Sequence, residues 1–243
     1  EGKPIVAVSA TTGQGMDNFM VSLEELCDRL EERRETGIFR YYVQRVFSSQ
    51  GYGTVLTGVT VSGSAGIGDT VELMPGNETG RIRNLQAYHS EVDRIYAGHC
   101  GAINLADLKK EELQRGMVAG TPEYLRAASE IEVNFTHAPL EGGKPLKDYS
   151  EVFFHAGSAE VAGKIALMGG IKHLEPGCES FAQLRLSQDV VVWPGMRFII
   201  RRPSPPETLG GGVVLAASGR KFRRSAPDVL EFFEKRLAAL GDP

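Results

Sequence analysis

Two spacings of apolar residues divide this chain. From Met16 they recur at a helical period: Met16, Phe19, Met20, Leu23, Leu26, Cys27 and Leu30 fall on one stripe, predicting an amphipathic helix. Just before it, Ile5, Val6, Ala7 and Val8 form the short apolar run of a strand covered on both faces. Gly13 and Gly15 loosen the loop between the two, Asp17 suits a first helical turn, Arg33 and Arg34 suit a last one, and Gly37 is a natural stop. Strand, loop and helix make half of a βα repeat, which cannot bury both faces alone. Either the domain continues upstream of Glu1 or these residues pack onto the strands beyond Gly37.

From Ile38 onward the period shortens to that of strands. The pattern predicts strands at 39–47, 54–62, 69–74, 80–88, 92–96 and 99–105, separated by glycine turns at the spacing of barrels and sandwiches. Glycine supplies the bends by which a sheet closes on itself, and closure removes exposed edges. In "GIGD" the Asp69 carboxylate is placed to accept local backbone N–H groups. A short polar helix is expected at 109–116, "KKEELQRG", before the connector "GTPEYLRAA". A second β-rich segment runs from about 129 to 217, with strands in "SEIEVNFTHA", "SEVFFHAG", "AEVAGKIALM", "ESFAQLRLS", "MRFIIRR" and "GGGVVLAA". The tail predicts a short amphipathic helix over 227–240, with Val229, Leu230, Phe233, Leu237 and Leu240 on one face.

Composition adds limits. The 243 residues, 42% hydrophobic and 24% charged, suffice for one large domain or two to three small ones. No apolar run reaches the roughly 20 residues of a membrane span, so a cytoplasmic location is expected. Cys27, Cys100 and Cys178 are far apart and form no CxxC pair, the pattern of reduced thiols. The net charge of −4 conceals an asymmetry. Residues 1–36 are acidic, whereas Arg201, Arg202, Arg220, Lys221, Arg223 and Arg224 face only Glu207 between 201 and 224. That basic end is either a solvated surface or a polyanion contact. Trp193, in "VVVWPG", reads as core or interface packing rather than a platform for a base.

The sequence lacks the phosphate-cradling GxxxxGK[ST] of a nucleotide hydrolase, and its five histidines have no ligand spacing that suggests a metal. GxSxG is also absent. The residues describe a binding module, not a catalyst.

The stretch "VSATTGQGMDNF" resembles the end of a translation-factor GTPase domain, in which an SA pair, here Ser9 and Ala10, abuts the guanine base. "FSSQGYGTVLTGVTVSGSAGIGDTVEL" resembles the first β-barrel after that domain in the elongation-factor superfamily, matching at Gly51, Gly53, Gly58, Gly63, Gly68 and Asp69. With "HAGSAEV", "FAQLRLSQDVVVWPGMRFIIRRPSPPETLGGGVVL" and "RKFRRSAPDVLEFFEKRLAALGDP", the chain is similar throughout to the bacterial selenocysteine-specific elongation factors.

The resemblance implies a mainly β fold. A strand–helix remnant of an α/β GTPase domain (1–36) is followed by a first barrel (37–121), a second barrel (128–218), and a basic linker with a short helix (219–243). It also implies selenocysteinyl-tRNA and the ribosome as partners. GTP and Mg would be held by motifs preceding residue 1, and a messenger RNA hairpin by winged-helix domains after residue 243. Arg45 matches a basic position of the family's aminoacyl pocket, where a cation favours an ionised selenol over serine's neutral hydroxyl. The chain departs from the pattern in having Gln44 where relatives have an acid and Cys100, preceded by His99, where they have an arginine. In the second barrel, Arg201, Arg202, Arg220, Lys221, Arg223 and Arg224 would lie along tRNA phosphates. Two other identities share parts of this pattern: another translational GTPase, or the GTPase subunit of a sulfate-activating enzyme.

Overall fold

The computed structural model describes residues 4–30, 37–49, 53–106, 108–139, 142–223 and 227–241. The chain divides into two compact units, Glu1–Arg34 and Glu35–Pro243. In the first, α1 (Met16–Asp28) comes after a tight loop in which Gly13 N–H donates to Ser9 O and Ser9 N–H to Gln14 O. The expected strand at 5–8 is not formed: Ile5 is 98% exposed. A strand meant to be covered on both faces needs neighbours, and this unit has none among its described residues. The helical stripe is formed, but Met16, Phe19, Met20, Leu23 and Leu26 are all exposed. The helix ends at Asp28, short of Arg33 and Arg34, which lie outside the described residues.

The second unit is two β-barrels and a helix. The first barrel comprises β1 (Arg40–Ser49), β2 (Gly53–Ser62), β3 (Ser64–Gly66), β4 (Thr70–Met74), β5 (Glu78–Ala87), β6 (Ser90–Glu91), β7 (Arg94–Tyr96), β8 (Cys100–Ala106) and β9 (Val118–Gly120). Its main sheet runs β4-β9-β1-β2-β8-β5-β6, and β4 also pairs with β5, closing the ring. The pattern missed β9, whose three residues are all buried and show no alternation. The expected helix at 109–116 is a single 3₁₀ turn, Lys110–Glu112, because Leu113 and Met117 leave helical geometry to fill the barrel's end. Gly58 shows why glycine is needed where strands crowd: a Cβ there would lie 1.8 Å from the Tyr42 carbonyl oxygen. The Asp69 turn is as the residues suggest, with Gly66 N–H donating to Asp69 Oδ2 at 2.8 Å.

The second barrel comprises β10 (Ala127–His137), β11 (Leu146–Lys147), β12 (Glu151–Ala156), β13 (Ala159–Leu167), β14 (His173–Leu174), β15 (Glu179–Val191), β16 (Arg197–Arg202) and β17 (Glu207–Ala216). Its ring is β10-β15-β13-β12-β16-β17, closed by β17 pairing with β10. Alternation decides its core: Val152, Phe154 and Ala156 of β12 and Phe198 and Ile200 of β16 point in, with Arg197, Ile199 and Arg201 outside. The C-terminal helix α2 (Pro227–Ala238) docks Val229 and Phe233 on Ala166, Met168 and Leu215.

The barrels share a joint. Met74 and Val118 of the first pack with Leu125 of the connector and Val191 of the second. Beside them Tyr42 stacks on Trp193, with ring centres 5.8 Å apart and planes 14° from parallel, and the Arg40 guanidinium covers Trp193 at 4.7 Å. Trp193 is thus interface packing, as its sequence context suggests.

Burial at this joint raises the Tyr42 phenol to about 12, and burial raises Tyr41 further. The fold favours the neutral phenols, so their contribution is complete below the ordinary tyrosine value near 10 and is lost as pH rises through the folded one. Urea midpoints should hold steady up to pH 10 and fall between pH 10 and about 12. Replacing Tyr41 and Tyr42 together by Phe should flatten that fall. An equally steep fall in the double variant would assign it to other groups.

Candidate nucleic-acid interface

A β-bulge aims Arg45. Along β1, Tyr41 and Val43 point into the barrel, and strict alternation would send Arg45 after them. The pairing with β2 instead slips between Val43 and Arg45: Val43 faces Gly58 and Arg45 faces Thr57, leaving Gln44 as the extra residue. After the slip Val46 packs on the core, and Arg45 and Phe47 are exposed outside. Register continues the row across the sheet, from Arg45 to Thr57, Ala102 and Gln86. The adjoining row is Phe47, Val55, Asn104 and Asn84. These two rows surround a cleft of about 190 Å³ lined by Phe47, Val55, Leu85 and Ala102, with the amides of Asn84, Gln86 and Asn104. It offers one aromatic face and aliphatic walls, with the Gln86 amide at its side; Asn104 Nδ2 donates to Thr54 O, and Asn84 accepts from Leu85 N–H and donates to Glu91, so those two amides brace the sheet.

Cys100 lies one row farther along this outer face, opposite Val59, and is exposed. His99 does not join it. It precedes Cys100, so alternation sends its side chain to the opposite face, and its ring is held edge-on between Tyr88 and Tyr96 at 5.6 and 5.5 Å. Arg45 is therefore the cation that β1 sets on this outer face, in the row next to Phe47, although it is not among the residues lining the cleft.

The basic end read from the sequence separates into two places. Arg202 pairs with Glu207 and lines a cleft of about 420 Å³ together with Lys144, Lys147, Ser150, Glu151 and Ser204. Lys144 and Lys147 were not singled out in the sequence, since they precede Arg202 by more than fifty residues and only barrel closure brings them near. Arg201 is exposed but does not line this cleft. Arg220, Lys221 and Arg223 come after the other end of β17, a length of strand of roughly 30 Å away. Arg224 lies outside the described residues.

That second basic segment is strapped down. The buried Glu132 carboxylate accepts from Ser218 Oγ–H at 2.6 Å, Ser218 N–H at 3.1 Å and Gln183 Nε2 at 3.0 Å. Gln183 also donates to Arg220 O at 2.7 Å and accepts from Phe222 N–H at 3.3 Å. The Arg220 guanidinium lies over the Phe222 ring at 4.6 Å, so part of its work is packing. Lys221 and Arg223 are exposed.

In the first unit, Ser9 commits its N–H, carbonyl and Oγ within the loop, the last accepting from Thr12 N–H at 3.3 Å, while Ala10 is exposed on the turn. Among the described residues no cluster of His, Cys, Asp or Glu could hold a metal ion, and no helix is long and apolar enough to cross a membrane.

Residues 53–120 match the family model for elongation factor Tu domain 2, and residues 134–221 the model for the β-barrel domain of selenocysteine-specific elongation factor. The chain is 36% identical over 242 residues to the selenocysteine-specific elongation factor of Desulfomicrobium baculatum, covering 100% of this chain and 38% of that protein. It is 28% identical over 239 residues to that of Escherichia coli K12, covering 96% and 36%. A crystal structure of bacterial selenocysteine-specific elongation factor EF-Sec superimposes with a TM-score of 0.79 at 27% identity, covering 100% of this chain and 40% of that one. The chain spans little more than a third of the length of the curated relatives it matches. Fold and matched domains together define the tandem β-barrels of a translation elongation factor. Within that class the chain belongs to the selenocysteine-specific elongation factors, of which it matches a middle portion.

Glu132→Ala strands three donors and should cost about 2 to 4 kcal/mol, with faster amide exchange confined to 218–222 and α2 at low denaturant. Lys221→Ala, which touches none of this, should stay within about 0.5 kcal/mol of the parent. Urea unfolding and hydrogen exchange read both, and an unmoved Glu132→Ala midpoint would dismiss the strap.

Proposed function

We propose that the two barrels hold a selenocysteinyl-tRNA for delivery to the ribosome. The observation that carries this reading is the bulge at Gln44, which turns Arg45 onto the outer face beside the Phe47 cleft. In the proposal the cleft takes the terminal nucleoside and aminoacyl group: a base lies against Phe47 and the aliphatic walls, the Gln86 amide reads its edge, and Arg45 meets the cargo's selenolate. A seryl group on the same tRNA offers only a neutral hydroxyl, which leaves the arginine unpaired. With the His99 ring held between Tyr88 and Tyr96 and a cysteine at 100 in place of an arginine, discrimination rests on Arg45 more heavily than in a pocket with two arginines.

The Lys144, Lys147 and Arg202 cleft would receive phosphates of the helical arm, and Arg201, Lys221 and Arg223 are further candidates on the same barrel. Such contacts position the RNA without reading its sequence. In the longer protein, GTP and Mg would gate this binding from a GTPase domain to which the first unit contributes the Ser9–Ala10 loop, and a further domain would hold the messenger RNA hairpin. The chain itself would bind rather than catalyse.

Arg45→Ala should reduce the preference for selenocysteinyl over seryl ligand by roughly tenfold, the worth of a hydrogen bond to a charged group. Equal preference before and after the change would remove Arg45 from the pocket. Binding should weaken with a slope of about −0.7 to −0.9 in log K against log salt per phosphate neutralised. The pair Lys144→Ala and Lys147→Ala should lower that slope by about two while leaving the cargo preference intact. Filter binding over a salt series measures both, and an unchanged slope would place the RNA elsewhere.

A further inference from the structure

We infer that the Tyr42–Trp193 stack is a positioning element: it sets the offset between the Arg45–Phe47 cleft and the Lys144–Lys147–Arg202 cleft, so that one RNA engages both. This rests on the reading of those two clefts as RNA sites. Tyr42 stands on β1, three residues before Arg45 and five before Phe47, so the stack and the first cleft share one strand. Trp193 stands on the turn entering β16, whose last residue is Arg202. That turn is braced by Met196 N–H on Trp193 O at 3.1 Å and by Gly195 N–H on Val214 O at 2.8 Å. A short mechanical path therefore runs from one cleft to the other through a single aromatic contact.

The surroundings are shaped to that contact. The "HAGSAEV" turn joining β12 to β13 reaches the first barrel at Gly157, whose φ of +57° and missing side chain let the Tyr42 ring lie against it; a Cβ would sit 2.5 Å from that ring. Arg115 Nε donates to Ser158 O at 3.3 Å across the same seam. Arg40 covers the outer face of Trp193 and bonds Ser62 Oγ at 3.3 Å, tying the stack back to β2. Among the described residues the apolar seal beside the rings comprises Met74, Val118, Leu125 and Val191 with Ala127, and Gly116 lies close to Ala159, so the two rings are the largest side chains in a small seam.

A ligand held at two places gains from the fixed spacing, because its second contact forms at an effective concentration set by geometry. Loosening the joint lowers that gain and leaves each cleft intact. This predicts a loss seen with a long ligand and absent with short ones, which local damage to either cleft cannot produce.

The experiment compares the parent chain with Trp193→Ala and Trp193→Phe. The probes are a selenocysteinyl minihelix containing the acceptor and T arms, a 3′-aminoacyl CCA fragment, and an uncharged RNA duplex. Trp193→Ala should bind the minihelix roughly tenfold or more weakly and bind both short probes as the parent does, with Trp193→Phe recovering most of the loss. In a Cys27→Ser background, spin labels on the exposed Cys100 and Cys178, one on each barrel, report the offset without RNA. Their distance distribution should be narrow in the parent and in Trp193→Phe, and broad in Trp193→Ala. A narrow distribution in Trp193→Ala, or equal losses for all three probes, overturns the inference while leaving the RNA reading in place. A parent chain that binds no minihelix overturns the RNA reading, and the inference falls with it.

Discussion

Closure of each sheet on itself is the constraint on which the second unit depends. A ring of strands leaves no unpaired edge, and it is achieved twice, by β4 reaching β5 and by β17 reaching β10. To close, strands must bend and crowd, which is why Gly58 sits where any side chain would strike the Tyr42 carbonyl. The same bending produces the bulge at Gln44. A local irregularity needed for curvature is thereby also the device that moves Arg45 from the core side to the surface.

Closure has a second consequence in the outward faces it leaves. Each barrel buries its own apolar set and presents mostly polar residues outside, so the barrels can adhere only through a limited seam. The seam uses flat rings and a guanidinium, whose Nη1 bonds Ser62 Oγ while its buried Nε has no hydrogen-bond partner among the described residues. The connector adds to it through Leu125, and through Glu123 N–H on Glu72 at 2.8 Å.

Charge is arranged by the same geometry. The basic residues at 201–202 and 220–223 emerge at opposite ends of β17, and Lys147 of β11 and Lys144 before it join the first of them. Arg220 is drawn into aromatic packing by the Glu132–Gln183 strap, so a cluster of like charges becomes two surfaces of different character. Summed charge over a segment is therefore a poor guide to where a polyanion can lie on a closed barrel.

Most strands were legible because a barrel wall has one wet and one dry face, and the period of two records it directly in β2, β5, β12 and β16. The Asp69 turn and α2 were legible for the same local reason. Features that depend on partners were not. The run at 5–8 has a strand's composition but no neighbours here, and pairing is a property of partners. The 109–116 segment has helix-forming residues, yet its apolar members are taken by the barrel's end. The side of the sheet on which Arg45 emerges depends on a one-residue slip against β2. By itself the sequence determined the alternation, the turns, the aromatic residues available for a joint and the resemblance to a family. Only the tertiary structure decided which cations share a surface, because that depends on register and closure, which are set between strands rather than along one.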